Sequence, residues 1–267
     1  MLMNSKDLLK WAVTELGFEK RLEAELLLCH VLNTNRALLM AHDTDELETE
    51  QVEMFRALVV RRKADEPLQY LLGTANFMGL ELLVTPAVLI PRFDTERLVE
   101  KALKLLEDCE EPAVLDVCTG SGAIALALQQ YKPKAAVYAG DLSGEALAVA
   151  MQNNTRCGLA VQFRQGNLLE PFADLTGKLD LLASNPPYIT TQEMTELPKS
   201  VKDFEPELAL HGGTDGLDFY RAIARNYAVA LKPGGYLCFE FGMGQGDAVC
   251  QILEENGYTI LERSKDY

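Results

Sequence analysis

The sequence has little of what a metal site, a disulfide framework or a membrane span requires. It contains three histidines and six cysteines in 267 residues, and no two cysteines form a C-x-x-C pair. This spacing argues against a zinc site and against a disulfide-stabilised fold. No apolar run reaches the roughly 18–20 residues of a transmembrane helix, and the start of the chain has no signal-peptide pattern. We therefore expect a cytoplasmic protein without metal and without membrane association.

Positive charge is also scarce. The chain has 25 Lys and Arg against 40 Asp and Glu, a formal net charge of −15. Nucleic-acid binding normally shows a basic footprint, because phosphate neutralisation supplies much of the affinity. The one dense basic cluster, Arg61-Arg62-Lys63, follows an apolar-periodic run, and we interpret it as a helix C-terminus that complements the helix dipole. We expect no stable nucleic-acid binding.

The first part of the chain, residues 1–70, predicts a helical domain. Apolar residues recur at helical spacing in residues 8–16, 20–33 and 47–63. Ser5 is the expected N-cap of the first helix, and Gly17 the residue that ends it.

The pattern changes after Pro67. The stretch FMGLELLVT (77–85) has a Gly turn between strand-like runs and predicts a β-hairpin, within a linker of residues 71–90. In residues 91–267 strands and helices alternate, which predicts a mostly parallel, doubly wound α/β sheet. Asp94 or Thr95 is expected to cap its first helix. The expected strands are Ala113–Cys118, Ala136–Gly140, Val161–Arg164, Leu179–Ser184, Tyr236–Phe241 and Tyr258–Leu261.

A glycine-rich loop follows the first of these strands, in VLDVCTGSGAIALAL (114–128). Glycines there let the backbone approach a ligand at the carboxyl ends of the strands. The next strand ends at Asp141, where an acidic residue suits the two hydroxyls of a ribose. The loop fits the dinucleotide pattern G-x-G-x-x-G/A poorly, and a Gly-rich first turn also occurs in α/β sheets without such a role. Together with Asp141 it favours a nucleotide-like cofactor.

Asp116, four residues ahead of Gly120-Ser121-Gly122, resembles the D-x-x-x-G-x-G motif of S-adenosylmethionine-dependent methyltransferases. The resemblance implies that S-adenosyl-L-methionine is the cofactor and S-adenosyl-L-homocysteine the product. Asn167 stands where that family commonly has an Asp near the adenine amino group, and a polar loop residue is the alternative interpretation. The implied cofactor-binding residues are Asp116, Cys118, Thr119, Gly120, Ser121, Gly122, Asp141, Asn167, Leu168 and Asn185.

The fourth strand ends on a rigid corner, Asn185-Pro186-Pro187-Tyr188. Methylation of a planar amino group requires its two N–H groups to be held while the nitrogen faces the methyl donor. The Asn185 side-chain oxygen and the Pro186 carbonyl are two suitable acceptors, and Pro187 restricts Pro186 to an extended conformation. Tyr188 can stack on the flat group. An Asn is no general base, so we expect none. The alternative for the tetrapeptide alone is a loop breaker.

The sequence [N/D]-P-P-[Y/F] is typical of methyltransferases that modify planar NH2 groups. Several further stretches, in order, resemble the release factor glutamine methyltransferase family (HemK/PrmC), and the resemblance extends from about Lys6 to the end of the chain. These stretches are PLQYLLG (67–73), FMGLELLV (77–84), VLIPRFDTERLVE (88–100), EPELALHGGTDGLDFYRAI (205–223) and LKPGGYLCFEFGMGQ (231–245).

That resemblance implies methylation at N5 of the glutamine in the Gly-Gly-Gln motif of peptide-chain release factors. It implies that the helical domain 1–70 engages the release factor, and that Asn185, Pro186, Pro187 and Tyr188 hold the glutamine amide. It gives the I-P-R-x-D-T-E residues Arg92, Asp94, Thr95 and Glu96 a supporting role, for which a helix cap with first-turn acids is the alternative.

The chain departs from the family at two places. Phe93 replaces a proline of the I-P-R-x-D-T-E loop. Family members usually continue into a further antiparallel strand, so the strand at 258–261 is expected to have an unpaired edge. Three rival functions stay open: a DNA or RNA amino-methyltransferase (adenine N6 or guanine N2), a non-catalytic cofactor-binding adaptor, and a nucleotide-dependent oxidoreductase.

Overall fold

The structure is a computed structural model that describes residues 3–265. It divides into two compact units. The helical unit contains the residues up to Gly73 together with Lys199–Phe204, and the sheet unit contains Thr74–Pro198 and the residues from Glu205 onward. Within residues 3–265, no helix has the length and apolar character needed to cross a membrane.

The helical unit is built from amphipathic helices whose apolar faces form one core. Leu8, Leu27 and Phe55 are fully buried in it, and Trp11 packs edge-on against Phe55. The helices of this part of the chain are α1 (Ser5–Leu16), α2 (Arg21–Leu32), α3 (Arg36–Ala41), α4 (Thr49–Lys63) and α5 (Leu68–Leu72). The periodicity of the sequence predicts the three longer helices correctly, because each buries one stripe of apolar residues.

The predicted cap of α1 is wrong by one residue. Asn4 is the N-cap, and its side-chain oxygen accepts the Asp7 N–H at 2.9 Å. Ser5 is the first helical residue and is buried. Asn is at least as good an N-cap as Ser, so the preceding residue takes the role.

The basic cluster Arg61-Arg62-Lys63 ends α4, as predicted. Each cation pairs with an acid of the helical unit: Arg61 with Glu66, Arg62 with Glu23 and Lys63 with Glu15. Charges neutralised in this way offer less to a phosphate backbone.

The sheet unit alternates strands and helices. Its strands are β1 (Thr74–Phe77), β2 (Leu80–Leu83), β3 (Ala113–Val117), β4 (Ala136–Asp141), β5 (Gln162–Gln165), β6 (Leu179–Ser184) and β7 (Leu231–Phe239). The helices that follow in the chain are α6 (Thr95–Leu105), α7 (Ala123–Tyr131), α8 (Gly144–Arg156), α9 (Glu193–Glu196), α10 (Lys199–Lys202, in the helical unit), α11 (Asp218–Tyr227) and α12 (Gly246–Glu255).

The strands form two sheets. β1 and β2 pair antiparallel, with Phe77 opposite Leu80, and make the predicted hairpin. The other five strands are parallel in the order β5-β4-β3-β6-β7. From β3 the chain adds strands first on one side (β4, β5) and then on the other (β6, β7), so the strand order reverses between β3 and β6. In such folds ligands bind at the carboxyl ends of the strands at this switch point. The α/β prediction is confirmed.

Both faces of the parallel sheet are covered, which explains its nearly continuous apolar strands. Val114 of β3 belongs to the core cluster that includes α6 and α7. Leu115 and Val117 belong to the opposite cluster, with Phe172 and Tyr227. Between Leu115 and Val117 stands Asp116, which is fully buried. A carboxylate in the centre of such a strand needs a specific explanation.

The predicted sixth strand, Tyr258–Leu261, is wrong. Residues 258–265 form no ladder with any described strand, and the Tyr258 N–H instead bonds the carbonyl of Leu253, near the end of α12. A strand is stabilised by pairing with a neighbour, so apolar alternation alone does not make one. The expected unpaired edge at 258–261 falls with it. The fifth predicted strand begins earlier than expected, at Leu231, with a register irregularity before Tyr236.

Candidate active site

A cleft with about 760 Å³ of empty space lies at the carboxyl ends of the parallel strands. The residues around the cleft come from the ends of β3, β4, β5 and β6 with the loops that follow them, and from three further segments. They are Ala87–Leu89, Cys118, Gly120, Gly140–Ser143, Ala146, Gly166–Leu168, Asn185, Pro187, Pro206, Leu208, Ala209 and Phe219.

The glycine loop borders this cleft. Gly120 has a φ of +55°, and a Cβ added to it would meet no atom within 4 Å. Asp141, at the end of β4, holds the loop in place: its Oδ2 accepts the Gly120 N–H at 2.9 Å, and its Oδ1 accepts the Ser143 N–H at 2.9 Å. Burial raises the pKa of Asp141, and these backbone hydrogen bonds oppose the rise. The loop therefore presents bare backbone and an acidic side chain to the cleft.

Asp116 lies beneath the loop and does not line the cleft. Its Oδ2 accepts from the Thr119 hydroxyl at 2.6 Å and from the Ala125 N–H at 3.3 Å. Its Oδ1 has no hydrogen-bond partner among the described residues, although it is buried. Burial raises the pKa of Asp116 to about 7, and the charge of Asp141 adds to the rise. Thr119 and Ser121 are buried beside it, and Gly122 is the N-cap of α7.

Cys118 lines the cleft and has an unusual backbone conformation. Its φ is +60°, in the left-handed region that few non-glycine residues adopt. Burial, followed by the charges of Asp141 and Asp116, raises the pKa of the Cys118 thiol far above its usual value. The side chain therefore stays a neutral thiol and is a poor nucleophile. Backbone strain of this kind is often found at ligand sites.

The predicted adenine-side residues lie on the rim of the cleft. Asn167 is exposed, and its side-chain nitrogen donates to Glu170 Oε1 at 3.4 Å. Leu168 has a φ of +49° and is half-buried. The structure thus brings Cys118, Gly120, Asp141, Asn167, Leu168, Asn185 and Pro187 around one cleft.

The rigid corner closes β6 at the same cleft. Ser184 is buried, and its hydroxyl donates to the Val117 carbonyl at 2.6 Å, which ties the ends of β6 and β3 together. Asn185 is half-buried, and its side-chain nitrogen donates to the Thr95 hydroxyl oxygen at 3.1 Å. Pro186 and Pro187 are buried. With the nitrogen of Asn185 engaged by Thr95, its side-chain oxygen is the end of the amide that can accept from a bound molecule.

The backbone after the corner is held by two later loops. The Tyr188 carbonyl accepts from Gln245 Nε2 at 2.8 Å. Ile189 exchanges backbone hydrogen bonds with the chain around His211, with distances of 2.9 Å to Leu210 and Gly212. A Cβ on Gly212 would come within 2.6 Å of the Pro187 carbonyl oxygen, so only glycine fits there. The stretch EPELALHGGTDGL thereby acquires a physical role as support for the corner.

The I-P-R-F-D-T-E loop does not act as a simple helix cap. Asp94 is the N-cap of α6 by position, but its side chain makes no capping hydrogen bond and is exposed. Thr95 bonds Asn185, and Glu96 accepts the Met78 N–H of the hairpin turn at 2.7 Å. The predicted cap is therefore correct in position, since Asp94 is the N-cap residue, but not in its bonding: Asp94 makes no capping hydrogen bond, and the Thr95 side chain bonds Asn185 instead of its own helix.

Arg92 of the same loop contacts a buried acid. Its Nη2 lies 2.5 Å from Oε1 of Glu205, whose side chain is 2% exposed. The other oxygen of Glu205 accepts the Ile90 N–H at 3.2 Å. The ion pair therefore fixes the segment before α6 against the segment that begins at Glu205, close to the cleft wall at Pro206.

Comparison with known proteins identifies the same family as the sequence motifs do. The family model for the PrmC N-terminal domain matches residues 7–73, and the one for the methyltransferase small domain matches residues 95–201. The release factor glutamine methyltransferase of Moorella thermoacetica is 49% identical over 244 residues, which cover 90% of this chain and 85% of that protein. The enzyme of the same name from Geobacter sulfurreducens is 43% identical over 255 residues, covering 95% and 88%.

The chain belongs to the release factor glutamine methyltransferase family. The resemblance noted in the sequence is confirmed, and the domain with the parallel sheet is a methyltransferase domain. A crystal structure of a methyltransferase from Pyrococcus furiosus matches with a TM-score of 0.50 at 18% identity, covering 76% of this chain and 87% of that one. At this identity the match supports the fold alone.

Asn153 contributes to the site region, although its role could not be predicted from the sequence. This fully buried side chain on α8 bonds both the N–H and the carbonyl of Leu83, at 2.7 and 3.0 Å, and donates to the Ser121 carbonyl at 3.0 Å. It thus joins the hairpin to the glycine loop. Its sequence signal, an Asn in a helix, is too weak to find it. Within residues 3–265, no group of three or more His, Cys, Asp or Glu side chains could hold a metal ion.

Proposed function

We propose that this protein transfers a methyl group from S-adenosyl-L-methionine to the side-chain amide nitrogen (N5) of the glutamine in the Gly-Gly-Gln motif of peptide-chain release factors. The observation that carries the proposal is the corner Asn185-Pro186, which ends β6 at the cleft bordered by the glycine loop. The name of the relatives, release factor glutamine methyltransferase, agrees with this reaction.

The residues of the cleft fit S-adenosyl-L-methionine. Gly120 has no side chain, and the space that a Cβ would take is empty. A ligand can therefore approach the backbone of the loop there. Asp141 places a carboxylate where ribose hydroxyls are bound in related sheets. We assign cofactor binding to these two residues together with Cys118, Asn167, Leu168 and Asn185, which also line the cleft. Asp116, Thr119, Ser121 and Gly122 lie behind the lining, and we assign them the support of the glycine loop. When bound, the cofactor supplies an electrophilic methyl group on a positively charged sulfur.

The corner performs the positioning. A carboxamide nitrogen is a weak nucleophile, because its lone pair is delocalised into the carbonyl. The Asn185 side-chain oxygen and the Pro186 carbonyl accept the two N–H groups of the glutamine, which fixes the plane and direction of that nitrogen. Tyr188 packs beside the amide. Catalysis then rests mainly on orientation and on the exclusion of alternative geometries.

No general base is assigned. The Asn185 amide cannot take a proton at neutral pH, and its oxygen serves only as an acceptor. The glutamine nitrogen becomes acidic once it carries the additional methyl group, so its proton leaves to water after transfer. The rate is then expected to show little dependence on a titrating base in the corner.

The helical unit is assigned to the protein substrate. We propose that residues 1–70 engage the release factor, residues 71–90 form a hairpin linker and residues 91–267 carry catalysis. The main alternative is a DNA or RNA amino-methyltransferase acting on adenine N6 or guanine N2, because those groups are also planar NH2 donors. The formal charge of −15 and the paired state of Arg61, Arg62 and Lys63 oppose it.

Methyl transfer to competing acceptors tests the proposal. Purified protein is incubated with radiolabelled S-adenosyl-L-methionine and one of three acceptors: a release factor, the same factor with its Gly-Gly-Gln glutamine changed to Ala, or duplex DNA. We expect label in the unaltered release factor alone. Label in DNA but not in the release factor would overturn the proposal, and equal label in the Ala variant would exclude the glutamine as the target.

A further inference from the structure

The side-chain amide of Asn185 has two ends of nearly equal shape, and only one of them suits the acceptor. Its oxygen can accept from the NH2 of a glutamine, whereas its own NH2 would face that group donor to donor. Rotation about the last side-chain bond of Asn exchanges the two ends, and this torsion has broad, roughly two-fold preferences. Something other than shape must therefore select the end that faces the cleft.

The backbone of Asn185 is already fixed on both sides. The preceding residue, Ser184, is tied through its side chain to Val117, and its carbonyl accepts the Glu240 N–H at 3.1 Å. The following residue is the buried Pro186. The orientation of the terminal amide is consequently the main freedom that remains at this position.

The structure assigns that selection to Thr95, in an inference that rests on the proposed function. The Thr95 hydroxyl oxygen accepts from Asn185 Nδ2 at 3.1 Å across 90 residues of sequence. Holding the nitrogen turns the oxygen of the same amide toward the substrate. Thr95 is a positioning residue: it acts on the glutamine only through Asn185.

Thr95 is itself well placed for this task. Thr95 is 5% exposed and is the first residue of α6. Its neighbours in the loop are anchored to other elements, Arg92 to Glu205 and Glu96 to the backbone of Met78. Because these two anchors fix the segment on either side of Thr95, its hydroxyl has little freedom to follow Asn185 if the amide turns over.

Isosteric variants test the role. Thr95→Val keeps the shape and removes the acceptor, and Thr95→Ser keeps the hydroxyl and removes the methyl group. We expect Thr95→Val to lower kcat for release-factor methylation about tenfold, the effect of one lost hydrogen bond, and Thr95→Ser to restore most of it. The dissociation constant of S-adenosyl-L-homocysteine, measured by calorimetry, should be unchanged in both. Thr155→Val, which removes a hydroxyl bond to Met151 on α8, is the control and should keep the wild-type kcat.

A second readout does not depend on the acceptor. In protein labelled with 15N-asparagine, the side-chain NH2 signals of Asn185 are assigned by their loss in Asn185→Ala. Thr95→Val should shift these signals and speed their exchange with solvent, whereas Thr155→Val should not. Unchanged Asn185 signals in Thr95→Val would overturn the inference, and so would equal loss of kcat in the Val and Ser variants. If the wild-type protein labels no release factor, the proposed function fails, and the NMR signals still decide whether Thr95 holds the amide.

Discussion

At the scale of single residues, the site we propose depends on acceptors placed with fixed direction and not on acid–base groups. Asn185 follows the last residue of β6, its side-chain nitrogen donates to the Thr95 hydroxyl, and the next two residues are buried prolines. A hydrogen-bond acceptor in fixed geometry stabilises a transition state without reorganising during the reaction. The contribution of Asn185 should therefore be large for turnover and small for cofactor binding.

Asn185→Ala tests this division. We expect methyl transfer to the release factor to fall about 100-fold or more, as for the removal of one pre-organised hydrogen-bonding group. Affinity for S-adenosyl-L-homocysteine, measured by calorimetry, should change little. Asn226→Ala is the matched control, because Asn226 is exposed on α11 and its side chain donates to the carbonyl of Ala222 on the same helix. Wild-type turnover in Asn185→Ala would refute the gripping role.

Asp116 gives a pH prediction. Its pKa is raised to about 7 in the folded protein, while the unfolded chain ionises near pH 4. At acid pH both states hold the proton, so burial of the carboxyl costs no ionisation energy. As the pH rises from about 4 to about 7, only the unfolded state loses the proton, so Asp116 increasingly destabilises the fold, and the penalty is constant above that window.

Asp116→Asn removes this titration. The free energy of unfolding of the variant, relative to wild type, should rise across the window from about pH 4 to about pH 7 and then level off. Denaturant unfolding of both proteins at several pH values measures the difference, in which the carboxylates that do not interact with Asp116 cancel. A difference that does not vary with pH would show that Asp116 is ionised in the folded state throughout.

At the scale of elements, strand ends and the loops after them make the site, and the glycine loop makes the sharpest test. Gly120 has a φ of +55°, and a Cβ there would point into open space. Gly158, after α8, has a φ of +66° and equally open surroundings, but it does not line the cleft. Alanine at either position carries the same kind of backbone strain, about 1–2 kcal/mol.

Comparison of Gly120→Ala with Gly158→Ala separates strain from cofactor binding. Both variants should lose similar stability in thermal unfolding. Only Gly120→Ala should bind S-adenosyl-L-homocysteine more weakly, by at least about tenfold, because its Cβ occupies space next to the ligand. Equal cofactor affinity in the two variants would mean that the cofactor does not approach the loop backbone at Gly120.

The elements that could be predicted from the sequence are those with local signals. Apolar periodicity predicts the long helices and five of the strands, and glycine and proline predict the loop and the corner. The partners of the site could not be predicted, because they are distant in sequence and chemically ordinary. The sequence around Thr95 predicts a helix cap, and only the structure shows that its hydroxyl accepts a hydrogen bond from Asn185, 90 residues away. Asn153 joins Leu83 to Ser121 without any motif of its own.

The strand predicted at Tyr258–Leu261 is wrong for a different reason: here a local pattern is present and the pairing partner is missing among the described residues. Its alternating apolar residues resemble a strand, but pairing is a property of two segments and cannot be predicted from one. Tyr258 is used as a packing residue against the core cluster around Leu115 and Tyr227 instead.

At the scale of the whole molecule, charge separates the two main functional hypotheses. The formal net charge is −15, and the three cations at the end of α4 pair with acids of the helical unit. A protein with this balance gains little from counterion release on DNA. In a gel-shift assay at low ionic strength we expect no retention of duplex DNA. Salt-dependent retention at micromolar protein would instead favour the nucleic-acid alternative.

We propose that the corner after β6 selects a glutamine side-chain amide. This selection is tested most directly by locating the methyl group. A release factor methylated by the purified protein is digested, and the Gly-Gly-Gln peptide is fragmented by tandem mass spectrometry. We predict the added mass of one methyl group on the glutamine side chain, absent when the reaction uses the Asn185→Ala variant. A methyl group on any other residue, or none on this peptide while another acceptor is labelled, would contradict the account.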